Sequence, residues 1–313
     1  MNDIGGIHHV TCISGDAQEN LDFYTGALGM RMVKKSVNQD SPDTYHLFYA
    51  DADGHPGADL TFFPWPGMQA ARPGFGLSME SSLAVPTGSL DYWAERVAAH
   101  GINVGAIESR RGERVLPFDD PHGLHVALIE TSDTREFTPW NKSPVPKEKQ
   151  ILGLHAVRLW EDNLEHTAAF LTDVLGFRKE GEDGGWSRFA VAGGGSGAHV
   201  EIKQAPTATP RGRWGVGGIH HVAWRVADEK AQLDVRQRVA EAHRRPTEVI
   251  DRFWFKSVYF MEPGGVLFEI ATDGPGFTAD EDLATLGETL VLPPWLEAMR
   301  GEIEAGLPKL TYL

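Results

Sequence analysis

The stretch Gly6-Ile7-His8-His9-Val10-Thr11 recurs as Gly218-Ile219-His220-His221-Val222-Ala223, and a weaker copy stands at Gly153-Leu154-His155-Ala156-Val157. The offset of 147 residues from Gly6 to Gly153 also carries Phe23 onto Phe170 and Gly29 onto Gly176. A second offset, of 142 residues, carries Asp120-Pro121-His122-Gly123-Leu124 onto Glu262-Pro263-Gly264-Gly265-Val266, and Arg96-Val97-Ala98 onto Arg238-Val239-Ala240. Two offsets divide the chain into four units that open near Gly6, Ser81, Gly153 and Gly218.

Each unit reads as βαβββ. Ile7 to Ile13 alternates faces as a strand does. A helix follows, with Leu21, Tyr24 and Leu28 on one face and Gly29 as its stop. Short strands come next, joined by turns such as Asp51-Ala52-Asp53-Gly54. The expected class is α+β, with modules at 6–66 and 81–131 in an N-terminal half (1–140). A linker (141–150) leads to a C-terminal half (151–272) with modules at 153–205 and 216–272. Residues 273–313 form a helical extension, with helices expected over Ala279–Leu290 and Pro294–Leu307.

Composition narrows the function. Among 313 residues, 29 Lys and Arg face 44 Asp and Glu, a net charge of −15 that repels phosphate backbones and anionic lipid. The one cysteine, Cys12, excludes an internal disulfide and a cysteine-based zinc knuckle. No basic segment followed by an apolar run opens the chain, and no apolar run is long enough to span a bilayer. A soluble, cytoplasmic protein that binds neither nucleic acid nor membrane is the expectation, and a homo-oligomer is left open.

The repeat also locates chemistry. Only one ring of each His-His pair can face a given site on a pleated strand, and His9 and His221 occupy matching positions. Glu269 is the one carboxylate in the apolar strand Leu267-Phe268-Glu269-Ile270-Ala271, where an unpaired charge is costly. Two imidazoles and a carboxylate on separate strands form a facial triad for a divalent metal such as Fe(II), with coordination positions left open. The equivalents of His9 in the third unit and of Glu269 in the second are Ala156 and Ala127, so one site is expected, where units one and four meet. A rival pair, His199 and Glu201, shares a face but lacks a partner histidine and reads as a surface or salt-bridged pair. A turn centred on Gly264 puts Tyr259 opposite Glu269, with Cβ atoms ~5 Å apart.

These modules, the paired Gly-Ile-His-His-Val segments and the stretch from Glu262 to Thr272 resemble the vicinal oxygen chelate superfamily of glyoxalases, antibiotic-resistance proteins and extradiol dioxygenases. More narrowly the chain resembles the branch that opens hydroquinones, in Gly15-Asp16-Ala17-Gln18, Asp251-Arg252, Phe255 to Phe260 and Leu292 to Glu297. The resemblance implies two open, barrel-like mixed sheets and metal ligands at His9, His221 and Glu269. It implies pocket residues at His8, Thr11, His220, Arg252 and Tyr259, although the pleat turns His8 and His220 away from their neighbours. It further implies Fe(II), with Mn(II) fitting the same ligands, and an aromatic diol and O2 as partners. Tyr259 and a pocket histidine would move protons, and Arg252 would hold a distal hydroxyl or developing negative charge. A glyoxalase-type lyase or isomerase would draw a further ligand from Asp59-Leu60-Thr61-Phe62-Phe63, where no inward carboxylate is evident. A metal-free sequestering protein is the remaining alternative.

Overall fold

The computed structural model describes residues 3–312. The first module is β1 (Ile4–Ser14), α1 (Ala17–Leu21), β2 (Arg31–Asn38), β3 (Ser41–Ala50) and β4 (Asp59–Pro64). The second is β5 (Leu77–Pro86), α2 (Leu90–Ala99), β6 (Glu108–Arg110), β7 (Glu113–Asp119) and β8 (His125–Thr131). The third is β9 (Gly153–Glu161), α3 (Leu164–Ala169), β10 (Arg178–Asp183), β11 (Trp186–Ala190) and β12 (His199–Gln204). The fourth is β13 (Gly218–Val226), α4 (Glu229–Glu241), β14 (Ile250–Asp251), β15 (Lys256–Met261) and β16 (Leu267–Thr272).

Three of the helices begin where a short polar side chain can satisfy their free N–H groups: Asp16, Asn163 and Asp228 accept from Glu19, His166 and Ala231 at the starts of α1, α3 and α4. The first helix widens into a π-helical turn over Asp22–Ala27 and stops at Gly29, whose φ of 67° suits glycine. The third module repeats this with Phe170–Val174 and Gly176.

Two curled mixed sheets of eight strands result, in the orders β14-β15-β16-β13-β1-β4-β3-β2 and β10-β11-β12-β9-β5-β8-β7-β6. Modules one and four share the first sheet, and modules two and three share the second. The contiguous halves of the chain therefore each give one module to each sheet. Val10, Cys12 and Tyr24 of the first module join Leu83 and Trp93 of the second and Leu154 of the third in one apolar cluster. The opposite face of the first sheet keeps a smaller cluster that includes Phe48, Ala223, Trp254 and Phe255. That face carries the candidate site.

The C-terminal extension departs from the two expected helices. Residues Ala279–Leu290 form no α-helix, only single 3₁₀ turns at Phe277–Ala279 and Leu283–Thr285. Polar groups of this segment are claimed by the edge strand β2: Arg31 donates to Leu286 O, Lys34 to Asp280 Oδ1 and Lys35 to Glu288 O, and just beyond it Val291 N donates to Lys35 O. The tail thus covers a sheet edge instead of coiling on itself. The second expected helix shrinks to a 3₁₀ turn, Glu297–Met299, and α5 (Arg300–Gly306). No helix among the described residues is long and apolar enough to cross a membrane.

Candidate metal centre

His9 and His221 lie on β1 and β13, the antiparallel pair where modules one and four meet, and Glu269 lies on β16 beside β13. All three are buried. His9 Nε2 stands 3.2 Å from His221 Nε2 and 3.3 Å from Glu269 Oε2, and His221 Nε2 stands 3.0 Å from that oxygen. Donors held ~2.1 Å from one ion would be about 3.0 Å apart at right angles and about 3.4 Å apart in a tetrahedron. The observed spacing falls in that window. Glu269 Oε1 accepts from Ser257 Oγ, whereas Oε2 is sealed from solvent and neither imidazole is angled to donate to it. An orphaned carboxylate oxygen facing two imidazole nitrogens fits a divalent cation. Among the described residues no other group of His, Cys, Asp and Glu converges in this way.

The charge state agrees. Burial alone would raise the Glu269 carboxyl, but the facing His9 and His221 hold it well below the usual range. Burial lowers His221, which favours the neutral imidazole that a metal takes as a ligand.

His8 and His220 reach their partners through β-bulges. Ile7 pairs with Trp224 and His9 with Ala223, which leaves His8 as the extra residue of its strand. Likewise Thr11 pairs with His221 and Cys12 with Ile219, which leaves His220 extra. A bulge re-aims a side chain that strict alternation would turn away. His8 Nδ1 sits 2.9 Å from His9 Nδ1, and His220 Nδ1 sits 2.8 Å from His221 Nδ1. Burial, then the neighbouring His9 or His221, lowers both outer imidazoles to about 3. Neutral outer rings can accept the Nδ1 protons of His9 and His221, which frees both Nε2 lone pairs. Trp214 stacks on His220 at 4.6 Å, and Phe255 packs on His8 and His9 at 5.2 and 5.3 Å.

A small cleft opens beside the triad. His9, His46, Phe48 and Phe63 of the first module and His221, Arg252, Trp254, Phe255 and Tyr259 of the fourth line it. Tyr259 pairs with Glu269 across the β15–β16 hairpin, the register expected from the turn, and its ring meets His221 edge-on at 5.6 Å. Burial and then the Glu269 charge push its hydroxyl pKa up, so Tyr259 stays protonated. The Arg252 guanidinium lies 5.5 Å over the Tyr259 ring and donates to Asp40 at 2.9 and 3.3 Å. Thr11 points to Thr61, with hydroxyls 2.8 Å apart, and Thr61 in turn meets His46 Nε2 at 3.0 Å. Thr61 faces Thr11 on β4 as Glu269 faces Ala223 on β16, so the first module carries a hydroxyl where the fourth carries a ligand.

Sequence alone did not single out His46, Trp254, Asp40 or Trp214. The alternation Thr44, His46, Phe48 against Tyr45, Leu47, Tyr49 was a usable signal for His46. The others lie in loops, where no periodicity points. The rival pair is not brought into a metal site: His199 faces Glu180 at 3.1 Å, and Glu201 is ion-paired to Arg158, Arg188 and Arg111.

The profile of the Glyoxalase/Bleomycin resistance protein/Dioxygenase superfamily matches residues 6–128 and 153–270. MhqO of Bacillus subtilis (strain 168), a protein named for ring-cleaving dioxygenase activity, is 41% identical over 96% of this chain and 95% of its own length. The chlorohydroquinone/hydroquinone 1,2-dioxygenase of Sphingobium indicum is 32% identical over 96% and 95% of the two chains. A crystal structure of a protein named as a dioxygenase from Bacillus subtilis superposes with a TM-score of 0.94 at 39% identity, covering 99% of each chain. Glyoxalase I from Zea mays shares the fold at a TM-score of 0.62 and 17% identity over 86% and 92% of the two chains. The repeat, the two sheets and these matches agree that this chain belongs to the glyoxalase/bleomycin resistance/dioxygenase superfamily.

Proposed function

We propose that the chain is a ring-cleaving dioxygenase that holds Fe(II) on His9, His221 and Glu269 and opens hydroquinone-type aromatic diols. The observation that carries this reading is a three-ligand set beside an aromatic-walled cavity, with Thr61 where a fourth ligand would stand. When bound, Fe(II) would supply open positions for one aromatic oxygen and for O2, and a path for electrons between them. Mn(II) suits the same donors. Both oxygen atoms enter the product, and no external reductant is consumed.

The chain's own groups have distinct tasks. Phe48, Phe63, Trp254 and Phe255 form walls that accept a planar ring and exclude water. His8 and His220 orient the two ligand imidazoles. Tyr259 keeps its hydroxyl proton available to an oxygen that gains charge as the ring opens. Arg252 is a fixed positive charge lining the cavity, suited to the hydroxyl para to the coordinated one. The lyase reading would want a fourth protein ligand, and the Thr61 hydroxyl, bonded to Thr11 and His46, is a poor one.

The test is oxygen uptake by anaerobically purified protein together with metal analysis. Iron near one per chain and faster uptake with hydroquinone than with catechol are expected. Zinc or nickel with no oxygen uptake would overturn the dioxygenase reading. Rapid catechol cleavage without hydroquinone activity would overturn the substrate class alone.

A further inference from the structure

We propose that His46 is a further substrate-contacting residue, whose Nδ1–H donates a hydrogen bond to an oxygen of the ligand in the cavity. The inference deepens the proposed function and rests on it for the identity of the ligand. His46 lines the cavity with Phe48 and Phe63, whose rings lie 3.9 and 4.4 Å from the imidazole. Its Nε2 meets Thr61 Oγ1 at 3.0 Å, and Thr61 Oγ1 meets Thr11 Oγ1 at 2.8 Å. Both threonines are fully buried, so the chain His46–Thr61–Thr11 must satisfy itself.

Counting protons fixes its direction. Each threonine hydroxyl has one proton to give, and a neutral imidazole has one. If Thr11 donates to Thr61 and Thr61 donates to His46 Nε2, every proton in the chain is used and the remaining imidazole proton sits on Nδ1. In the reverse direction His46 Nε2–H donates to Thr61 and Thr61 donates to Thr11. The Thr11 proton then has no acceptor, since Thr61 is its one hydrogen-bond partner among the described residues. A sealed donor left unmade bears its full desolvation penalty, so the first direction is favoured. Burial also lowers the imidazole well below its ordinary pKa, consistent with a single ring proton.

Nδ1 has no hydrogen-bond partner among the described residues and is not sealed from solvent, and His46 lines the cavity. The first module therefore offers an N–H to the cavity, and the fourth offers the Arg252 guanidinium and the Tyr259 hydroxyl. A ligand carrying polar oxygens would find donors from both modules in this cavity. A purely apolar ligand would leave the N–H unpaired.

Two measurements test this. Nitrogen-15 shifts of the labelled imidazole in the diamagnetic, zinc-loaded protein should report the Nδ1–H tautomer at His46, and Thr61→Val should abolish that preference. Anaerobic binding of hydroquinone to the iron-loaded protein should weaken ~10-fold in His46→Phe, with part of the loss recovered in His46→Gln and iron content unchanged. An Nε2–H tautomer, or unaltered binding by His46→Phe, overturns the assignment. A wild-type protein that binds hydroquinone anaerobically but takes up no oxygen would count against the dioxygenase reading and leave the His46 contact standing. If hydroquinone does not bind the wild-type protein, the substrate reading and the contact both fall, whatever the tautomer.

Discussion

Replacing Glu161 with Gln should make the protein more stable, and increasingly so as the pH rises. Glu161, at the end of β9, and Glu262, in the turn before β16, bury their carboxyl groups side by side, 0% and 1% exposed. Thr167 Oγ1 lies 3.1 Å from one and 2.8 Å from the other, with a single proton for both. Glu262 also accepts from the backbone N–H groups of Gly264 and Val266, whereas Glu161 Oε1 is sealed without a partner. Glu262 is therefore the member that takes the charge. Burial, and then that charge, push Glu161 up to about 9. Between the ordinary carboxyl value and that pH the folded chain holds a proton that the unfolded chain has released. Stability should fall across this window by ~1.4 kcal/mol per pH unit. The amide introduced by Glu161→Gln copies the protonated shape and has no proton to lose. The variant's advantage should be near zero at about pH 4.5 and grow to an upper bound of ~4 kcal/mol at about pH 7.5. Denaturant midpoints of both proteins, measured from about pH 5 to about pH 8, would show the two curves diverging. Parallel curves would refute the shared-proton argument.

Two predictions concern the candidate centre. His9→Ala, His221→Ala and Glu269→Ala should each lose the metal while keeping the fold, because two remaining donors cannot fix its geometry. Metal analysis alongside circular dichroism checks this; stoichiometric iron in Glu269→Ala would refute the triad, and His199→Ala serves as the control that keeps its metal. Arg252→Ala should lower kcat/KM for hydroquinone ~10–1000-fold if the guanidinium meets charge on the substrate. An unchanged value would leave Arg252 as a mere partner of Asp40.

Much of this architecture was legible because the repeat supplied internal comparisons. The two offsets located four modules, and the alanines at 156 and 127 pointed to a site where modules one and four meet. The hairpin about Gly264 gave the Tyr259–Glu269 pairing, since a short turn fixes register. What stayed hidden depended on tertiary context. The bulges that bring His8 and His220 beside His9 and His221 have no signature in a stretch of uniform strand propensity. The residues Ala279–Leu290 have helix-compatible spacing, yet Arg31, Lys34 and Lys35 of the edge strand claim their polar groups. Asp40 and Trp254 reach the cavity from hairpin loops, whose direction is set only when the sheet curls.

The second sheet explains why Glu269 calls for an ion. Strand pairing puts Glu80 at the place of His221, Arg158 at that of Thr11 and Glu201 at that of Thr61, each matched through its register with its neighbours. Ala156 and Ala127 fill the two remaining ligand positions. A buried carboxylate, Glu201, and a half-buried one, Glu80, thus survive there without a histidine ligand, and arginines balance them. Arg158 Nε lies 2.7 Å from Glu201 and 3.8 Å from Glu80, and Arg188 and Arg111 reach Glu201 at 2.9 and 3.1 Å. Glu201 has three guanidinium partners; Glu269, equally buried, has one serine hydroxyl and two neutral-capable imidazoles. A buried carboxylate without a fixed cation is tolerated only if a cation arrives from outside or a proton takes its place. Glu269 Oε2 stands 3.0 and 3.3 Å from two imidazole nitrogens and has no hydrogen-bond partner, an arrangement that suits a cation between them. The same fold therefore meets one electrostatic problem in two ways, with permanent cations in one sheet and a site that calls for an exchangeable cation in the other. Only the exchangeable solution leaves open coordination positions beside a cavity, which is where chemistry on a bound ring could take place.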